Sequence, residues 1–229
     1  QKRSSISIKI LMLDFKQHKY TIIKSAISKE LADFSYEYLL LKRKVARTLF
    51  DANWIPPFET MLGVWNDQQV PETYSHYGDI LMETLLEKVK HIMQQKTGLK
   101  LLPTYAYARI YKKGDVLHRH KDRMSCEIST TMNLGGDSWP IYLEPDETKG
   151  SHGEDKVYKS ENTPGIKVDL EPGDMLVYSG CVLEHWREKF EGNNCAQVFL
   201  HYNNMATQGE TNKYDGRPHL GLPADFKNV

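Results

Sequence analysis

Short β-prone runs separated by turn residues fill the second half of the chain and constrain its fold more than any other feature. From Leu101 onward, apolar and β-branched runs alternate with Gly, Pro, Asn and Asp. The runs are residues 104–111, 126–134, 140–143, 165–170, 175–178, 182–190 and 195–202. Strands that recur at intervals of roughly 8–12 residues are typical of a β-sandwich or barrel. We therefore expect this part of the chain to be mainly β.

Two amphipathic helices are predicted before the strands. The first covers residues 29–50 with Ser28 as its N-cap, and the second covers residues 79–96 with Gly98 just past its end. A serine oxygen can accept a hydrogen bond from a free N–H of the first turn, and glycine readily adopts the left-handed conformation that closes a helix. We expect both helices to pack outside the β-rich part.

The length of 229 residues favours a single domain, because all-β units of up to about 250 residues form one domain. Its expected parts are a helical support over residues 1–100, a β-rich core over 101–203 and a C-terminal tail over 204–229. Residues 53–77, rich in Pro and aromatic side chains, are predicted to form an irregular covering loop. The polar residues 149–163 are predicted to form a surface loop, and the tail to wrap the surface or to be partly disordered.

The charge balance excludes two classes of partner. The chain has 30 Lys and Arg against 30 Asp and Glu, so its formal net charge is zero. Nucleic-acid grooves and anionic membrane surfaces usually require a basic excess, so neither partner is expected. No apolar run approaches the roughly 18–20 residues of a membrane span. The apolar stretch 6–13 is interrupted by Lys9 and has no small-residue cleavage site, so it is not predicted to be a signal peptide.

The cysteine pattern favours a reducing environment. Cys126, Cys181 and Cys195 are an odd number and form no C-x-x-C pair. This pattern fits neither a disulfide framework nor a zinc finger. We expect all three to be small buried hydrophobic residues in a cytoplasmic protein.

Two His-x-acid pairs are candidate metal ligands, although chance alone predicts about one such pair in this composition. His152 and Glu154 lie in a glycine-flanked charged loop that fixes neither side chain. His120 and Asp122 lie on the extension of a predicted strand, where residues i and i+2 project to one face. His118 lies on the same face and is therefore an alternative to His120. The sequence context favours the pair that contains Asp122.

His185 is the candidate for the third ligand. It follows the turn at residues 172–174, the apolar run 175–178 and the small-residue break at Ser179 and Gly180. Such an order can bring a second wall of a barrel to the metal. An isolated histidine on an apolar strand is otherwise most often an ordinary core residue.

An ordered set of motifs over residues 104–203 resembles one enzyme family. In chain order the motifs are Tyr111-x-x-Gly114, His120-x-Asp122, Leu170-x-Pro-Gly-Asp174-Met-Leu-Val-Tyr178, His185 and Val198-Phe-Leu-His-Tyr202. This part of the chain resembles the prolyl-4-hydroxylase-like branch of the 2-oxoglutarate- and Fe(II)-dependent dioxygenases. The spacing from the glycine to the ligand favours His120 over His118.

The resemblance implies a fold, a metal site and a reaction. The implied fold is a double-stranded β-helix, a jelly-roll or cupin-like barrel, packed against the two N-terminal helices. The implied metal ligands and catalytic residues are His120, Asp122 and His185, which would hold Fe(II) and leave positions for 2-oxoglutarate and O2. The implied reaction hydroxylates a C–H bond of a peptide, a protein or a small molecule, a prolyl residue among them, and releases succinate and CO2.

The chain departs from the family at the residue that binds the distal carboxylate of 2-oxoglutarate. The family usually has Arg or Lys nine or ten residues after the second histidine, where this chain has Asn194 and Cys195. A buried carboxylate without a cation would cost several kcal/mol. We expect Arg187, two residues after His185 and on the same side of its strand, to replace the missing cation. Arg109 is the alternative candidate.

Roles near the site are also predicted for Tyr111, Thr131 and Arg123. Tyr111 and Thr131 are expected to donate hydroxyl hydrogen bonds to the co-substrate, although either could be an ordinary strand residue. Arg123 should face away from Asp122 and orient a neighbouring acid. For Arg187, the alternative is a surface salt bridge to an acidic neighbour.

Two other function classes fit the same ligands. A zinc hydrolase could use a His-Asp-His site to activate water, but no glutamate is evidently placed as its base. A non-catalytic cupin-like protein could merely bind a ligand. The aromatic residues of 53–77 (Trp54, Trp65, Tyr74 and Tyr77) and the tail at 214–222 could roof the site or simply pack.

Overall fold

Antiparallel strands carry most of the chain in the computed structural model, which describes residues 14–154 and 156–227. The apolar stretch 6–13, which the sequence argues is not a signal peptide, lies outside the described residues. The helices are α1 (Phe15–His18), α2 (Lys29–Asp51), α3 (Ile80–Thr97) and α4 (Met205–Gln208). The strands are β1 (Tyr20–Ile23), β2 (Tyr74–Tyr77), β3 (Leu101–Lys112), β4 (Leu117–His120), β5 (Ile128–Gly136), β6 (Ile141–Leu143), β7 (Ser151–His152), β8 (Tyr158–Lys159), β9 (Ile166–Val168), β10 (Met175–Ser179), β11 (His185–Arg187) and β12 (Asn194–Asn204).

The strands form two main sheets between which the chain repeatedly crosses. A six-stranded sheet has the order β1-β10-β5-β12-β3-β2, and a four-stranded sheet has the order β4-β11-β6-β9. Strands β3, β5, β10 and β12 belong to the larger sheet, whereas β4, β6, β9 and β11 belong to the smaller one. Strands β7 and β8 form a separate hairpin. The expectation of a mainly β fold with flanking helices is confirmed, and the strand pairs of both sheets are antiparallel.

The two long helices pack on the larger sheet, as the sequence predicts. The main core cluster combines Leu39 of α2 and Leu86 of α3 with Met132 and Val198 of the sheet. The Ser28 hydroxyl accepts from the Leu31 N–H at 3.2 Å and begins α2. The Asp79 carboxylate accepts from the Met82 N–H at 2.9 Å and begins α3. At the other end of α3, Gly98 has a φ of 69° and closes the helix in the left-handed conformation.

None of the helices within the two described stretches of chain is both long and apolar enough to cross a membrane.

Several strand boundaries differ from the predicted ones. Strand β2 lies inside the segment predicted as an irregular loop, because it pairs with the long strand β3 at the sheet edge. The predicted surface loop contains the hairpin of β7 and β8. The predicted strand 182–190 shrinks to β11, because the N–H groups of Val182 and Leu183 bond to the Ser179 carbonyl in a turn. The single sequence does not reveal these tertiary pairings.

The cysteine prediction is correct at two positions out of three. Cys126 and Cys195 are buried, whereas Cys181 is only partly buried. It was therefore wrong to expect Cys181 to be a fully buried hydrophobic residue. All three are free thiols.

The C-terminal segment is fixed to the domain by buried charges. The guanidinium of Arg217 donates to Glu83 Oε1 at 2.6 Å and to the Thr104 carbonyl at 3.2 Å. Both side chains of this ion pair are almost completely buried, at 0% and 1% exposure. Asp215 accepts two hydrogen bonds of 2.7 Å from Arg123, so Arg123 does orient an acid, but one far along the chain. The tail is therefore held to α3 by a buried ion pair and to Arg123 by a second pair, in which the arginine side chain is 49% exposed.

Replacing Arg217 with alanine should strongly destabilise the fold. The Glu83 carboxylate would then be buried without its cation, which typically costs about 3–5 kcal/mol. The free energy of unfolding in urea, followed by far-UV circular dichroism, measures this loss. Lys90→Ala is a matched control because it breaks an exposed pair with Glu87 on the same helix, where about 0.5 kcal/mol is expected. Equal losses in the two variants would contradict the role of Arg217.

Candidate metal centre and its cavity

Two paired strands of the smaller sheet bring two histidines together. His120 ends β4 and His185 begins β11, and the antiparallel register places them directly opposite each other. Residues opposite each other in an antiparallel pair project to the same face. Their ring centroids are accordingly 4.2 Å apart.

A backbone hydrogen bond places Asp122 beside the two rings. Its N–H donates to the Gly180 carbonyl at 2.8 Å, which ties the residue to the turn after β10. Asp122 Oδ1 then lies 3.6 Å from His120 Nε2 and 3.5 Å from His185 Nε2. The three candidate ligand atoms all lie within 4.8 Å of one another. By contrast, the alternative ligand His118 is exposed and does not belong to this group.

Backbone carbonyls determine which nitrogen of each ring is free. His120 Nδ1 lies 2.7 Å from the His118 carbonyl, and His185 Nδ1 lies 3.0 Å from the Leu183 carbonyl. A carbonyl can only accept, so each Nδ1 carries a proton, and in the neutral ring Nε2 then carries the lone pair. Each carbonyl therefore orients its ring so that Nε2 is the atom available to a metal.

The electrostatics of the group also suit a metal ion. Burial and the neighbouring His185 lower the pKa of His120 to about 4. Burial alone would raise the pKa of Asp122, but the neighbouring His185 and His120 rings outweigh it and hold that pKa well below its usual range. At neutral pH the ring of His120 is thus neutral and Asp122 is ionised, which are the forms that bind metals.

The three candidate ligands lie in the wall of a cavity of about 270 Å³. Much of the remaining wall is aromatic, with Tyr105, Tyr107, Tyr178 and Phe199 contributing. Asp122 is the carboxylate grouped with the two histidines, and no glutamate of the described residues lines the cavity. A substrate in this cavity would lie against aromatic faces and beside the metal.

Two polar residues of the covering segment, Asp67 and Gln69, also line the cavity. Asp67 forms an ion pair with Arg109 and accepts from the Tyr107 hydroxyl at 2.5 Å. The Gln69 amide nitrogen lies 3.1 Å from His120 Nε2. Of the aromatic residues of this segment that could roof the site, Tyr74 is in the core and Trp54 is 80% exposed. Nothing in the local sequence marked Asp67 or Gln69, because their partners lie about 40 or more residues away in the chain.

The two candidate arginines occupy different environments. Arg109 lines the cavity and is paired with Asp67. Arg187 is 1% exposed and donates to Thr131 Oγ1 at 3.1 Å and to the Trp139 carbonyl, and no carboxylate among the described residues pairs with it. The alternative of a surface salt bridge for Arg187 is therefore wrong. Burial lowers the pKa of Arg187, but a guanidinium remains charged at neutral pH.

The structure thus places Arg187, Thr131 and Tyr111 outside the cavity wall. All three side chains are buried, and the Tyr111 hydroxyl accepts from Arg109 at 3.0 Å. His201, which the sequence analysis did not single out as a site residue, does line the cavity. It lies on β12, next to β5 in the larger sheet.

Comparisons with known proteins were informative only at the level of structure. No protein-family model matches the sequence, and no curated protein matches it. HygX from Streptomyces hygroscopicus, solved with nickel and 2-oxoglutarate, is 13% identical, with a TM-score of 0.54 over 94% of this chain and 92% of that one. The non-heme α-ketoglutarate-dependent epimerase SnoN from nogalamycin biosynthesis is 12% identical, with a TM-score of 0.56 over 83% and 80% of the two chains.

A third similar structure is an oxidoreductase of the 2OG-Fe(II) oxygenase family from Burkholderia pseudomallei. It is 12% identical, with a TM-score of 0.51 over 82% of this chain and 87% of that one. At such identities the likeness concerns the fold, so membership of the prolyl-4-hydroxylase-like branch stays a prediction. The chain therefore has the antiparallel, jelly-roll type of fold found in 2-oxoglutarate/Fe(II) oxygenases.

Proposed function

We propose that this chain is an Fe(II)- and 2-oxoglutarate-dependent oxygenase that hydroxylates a C–H bond and releases succinate and CO2. One observation carries the proposal. Two imidazoles and one carboxylate bring their potential ligand atoms within 4.8 Å of one another, in the wall of a cavity and on a fold shared with such oxygenases. Two histidines and one carboxylate with open positions are the ligand set of non-heme Fe(II) oxygenases.

The metal ligands and the aromatic wall of the cavity would have separate roles in this reaction. His120, Asp122 and His185 hold the metal, which, when bound, supplies oxygen-activating redox chemistry and a chelation point for 2-oxoglutarate. The aromatic side chains Tyr105 and Tyr178 exclude water from the reacting centre. The two sheets would form the squashed barrel of a double-stranded β-helix around it, and residues 1–229 would form one domain.

Arg187 is our candidate for the distal carboxylate of 2-oxoglutarate. It is a buried cation that pairs with none of the described carboxylates, and such a charge is costly unless an anion joins it. Thr131 and Tyr111 would add hydroxyl hydrogen bonds. Because none of the three lines the cavity, binding there requires a shift of the side chains between them and the metal. Arg109 stays the alternative, and Asp67 already neutralises it.

The substrate is proposed only as a class. A prolyl residue of a peptide or protein follows from the resemblance in sequence. A small molecule is equally supported, because one structural neighbour was solved with hygromycin B and another with nogalamycin RO bound. The competing zinc hydrolase is disfavoured, because no described glutamate lines the cavity to act as its general base.

Succinate release from 2-oxoglutarate, measured across peptide, amino-acid and nucleoside substrates, tests the proposed reaction. Turnover should require Fe(II), and His185→Ala or Asp122→Ala should reduce it by at least about a hundredfold. Removing a residue that only hydrogen-bonds to a ligand typically weakens metal binding by about 10–100-fold, and losing a ligand itself should weaken it more. His118→Ala is the matched control, since that exposed ring lies two residues from His120 and should leave turnover unchanged. Hydrolysis that depends on zinc, without succinate, would favour the alternative.

Arg187→Ala should raise the 2-oxoglutarate concentration needed for half-maximal turnover by about tenfold, which corresponds to a loss of roughly 1.4 kcal/mol of binding. Arg187→Lys retains the charge and should lose less. Arg109→Ala is the comparison that decides between the two cations. If only Arg109→Ala raises the requirement, Arg109 holds the distal carboxylate instead. Circular dichroism of each variant confirms that the buried substitution leaves the fold intact.

A further inference from the structure

The oxygen of the Asp122 carboxylate that lies nearer to both histidines is Oδ1. Oδ1 lies 3.6 Å from His120 Nε2 and 3.5 Å from His185 Nε2. Oδ2 accepts a hydrogen bond of 2.7 Å from the hydroxyl of Ser129. A carboxylate held at one oxygen cannot rotate freely about its terminal bond, so the roles of the two oxygens are fixed.

Ser129 is itself held by His201. Ser129 is completely buried in β5, and its Oγ lies 3.0 Å from His201 Nδ1. The hydroxyl has one proton to donate, and its possible acceptors are Asp122 Oδ2 and the Cys126 carbonyl at 2.8 Å. The ionised carboxylate is the stronger acceptor. His201 Nδ1 must then be the donor to Ser129 Oγ, which orders the chain His201, Ser129, Asp122.

Gly180 completes the surroundings of Oδ2. A Cβ at this position would lie 2.3 Å from Asp122 Oδ2 and 2.5 Å from Ser129 Oγ, which are closer than real Cβ contacts. Only glycine therefore leaves room for the hydrogen bond. The same residue accepts from the Asp122 N–H through its carbonyl, so the turn after β10 holds both ends of the aspartate.

A second metal site on the same residues can be dismissed. Asp122, Cys126 and His201 also have potential ligand atoms within 4.8 Å of one another. However, Cys126 Sγ lies 3.0 Å from the Tyr105 hydroxyl and is buried. His201 Nδ1 lies 3.0 Å from Ser129 Oγ, so both Cys126 and His201 already have hydrogen-bond partners other than Asp122.

We infer that Ser129 and His201 are positioning residues that hold Oδ2 of Asp122 away from the metal, so that Asp122 ligates through Oδ1 alone. This inference rests on the metal centre of the proposed function. Without the hydrogen bond, Asp122 can turn both oxygens toward the metal. A chelating 2-oxo acid needs two positions on the metal, so the second oxygen would compete with it.

Cobalt(II) binding to the full-length, metal-free protein tests this inference without reference to turnover. We expect Ser129→Ala to fold like the wild type, to bind Co(II) about tenfold more weakly, and to change the visible d–d spectrum of bound cobalt, which depends on coordination number. The affinity of the cobalt-loaded variant for 2-oxoglutarate, measured without oxygen, should fall as well. His201→Phe keeps a ring beside Tyr105 but loses the N–H donor. We expect it to change the cobalt affinity, the visible spectrum and the 2-oxoglutarate affinity in the same direction as Ser129→Ala, but by less. His201→Asn has an N–H donor again and should restore all three to wild-type values.

Thr130→Val is the matched control, because it removes a buried hydroxyl from the neighbouring position of β5 that accepts from the Leu200 N–H rather than contacting Asp122. It should leave the cobalt affinity and spectrum unchanged. Wild-type cobalt affinity and spectrum in Ser129→Ala would overturn the positioning role and leave the proposed oxygenase intact. Failure of the wild-type protein to bind cobalt would overturn the metal centre itself.

Discussion

The candidate metal centre depends on the pairing of two short strands, β4 and β11. β4 has four residues and β11 three, and their register sets His120 directly opposite His185. A shift of one residue would turn one of the histidines to the other face of the sheet. Such short strands have little stability of their own, so the register must come from the sheet around them. The alternation of the chain between the two sheets supplies this support, because β10 and β12 on either side of β11 are anchored in the larger sheet.

How far the sequence predicts this structure depends on how local each contact is. The two long helices follow from neighbouring residues and are predicted within one residue at each end. The N-cap Ser28 and the closing Gly98 were also predicted, whereas Asp79, expected as the first residue of α3, is its N-cap. The proximity of His120 and Asp122 is also local, since only Lys121 separates them on an extended backbone. His185 required the ordered motifs, because its pairing with β4 spans most of the β-rich part.

The residues that support the candidate ligands and Arg109 could not be predicted from the sequence. Ser129 contacts a histidine 72 positions away, and Asp67 contacts an arginine 42 positions away. Neither residue belongs to a motif, and serine and aspartate at these positions are locally unremarkable. Only the packed fold reveals that one fixes Asp122 and the other neutralises Arg109. The sequence did identify Arg187 by its phase with His185, but it could not show that this cation pairs with none of the described carboxylates.

Charge balance links the metal to its co-substrate in the proposed function. Among the described residues, the Asp and Arg side chains that line the cavity are Asp67, Asp122 and Arg109. With the buried Arg187, their formal charges cancel. Fe(II) alone would add two positive charges to a region of low dielectric, and the 2-oxoglutarate dianion alone would add two negative ones. Each addition is unfavourable there unless the opposite charge accompanies it. Fe(II) and the 2-oxoglutarate dianion together add no net charge. Arg187, which pairs with none of the described carboxylates, and the ionised Asp122 therefore favour binding of the metal and the co-substrate together over binding of either one alone.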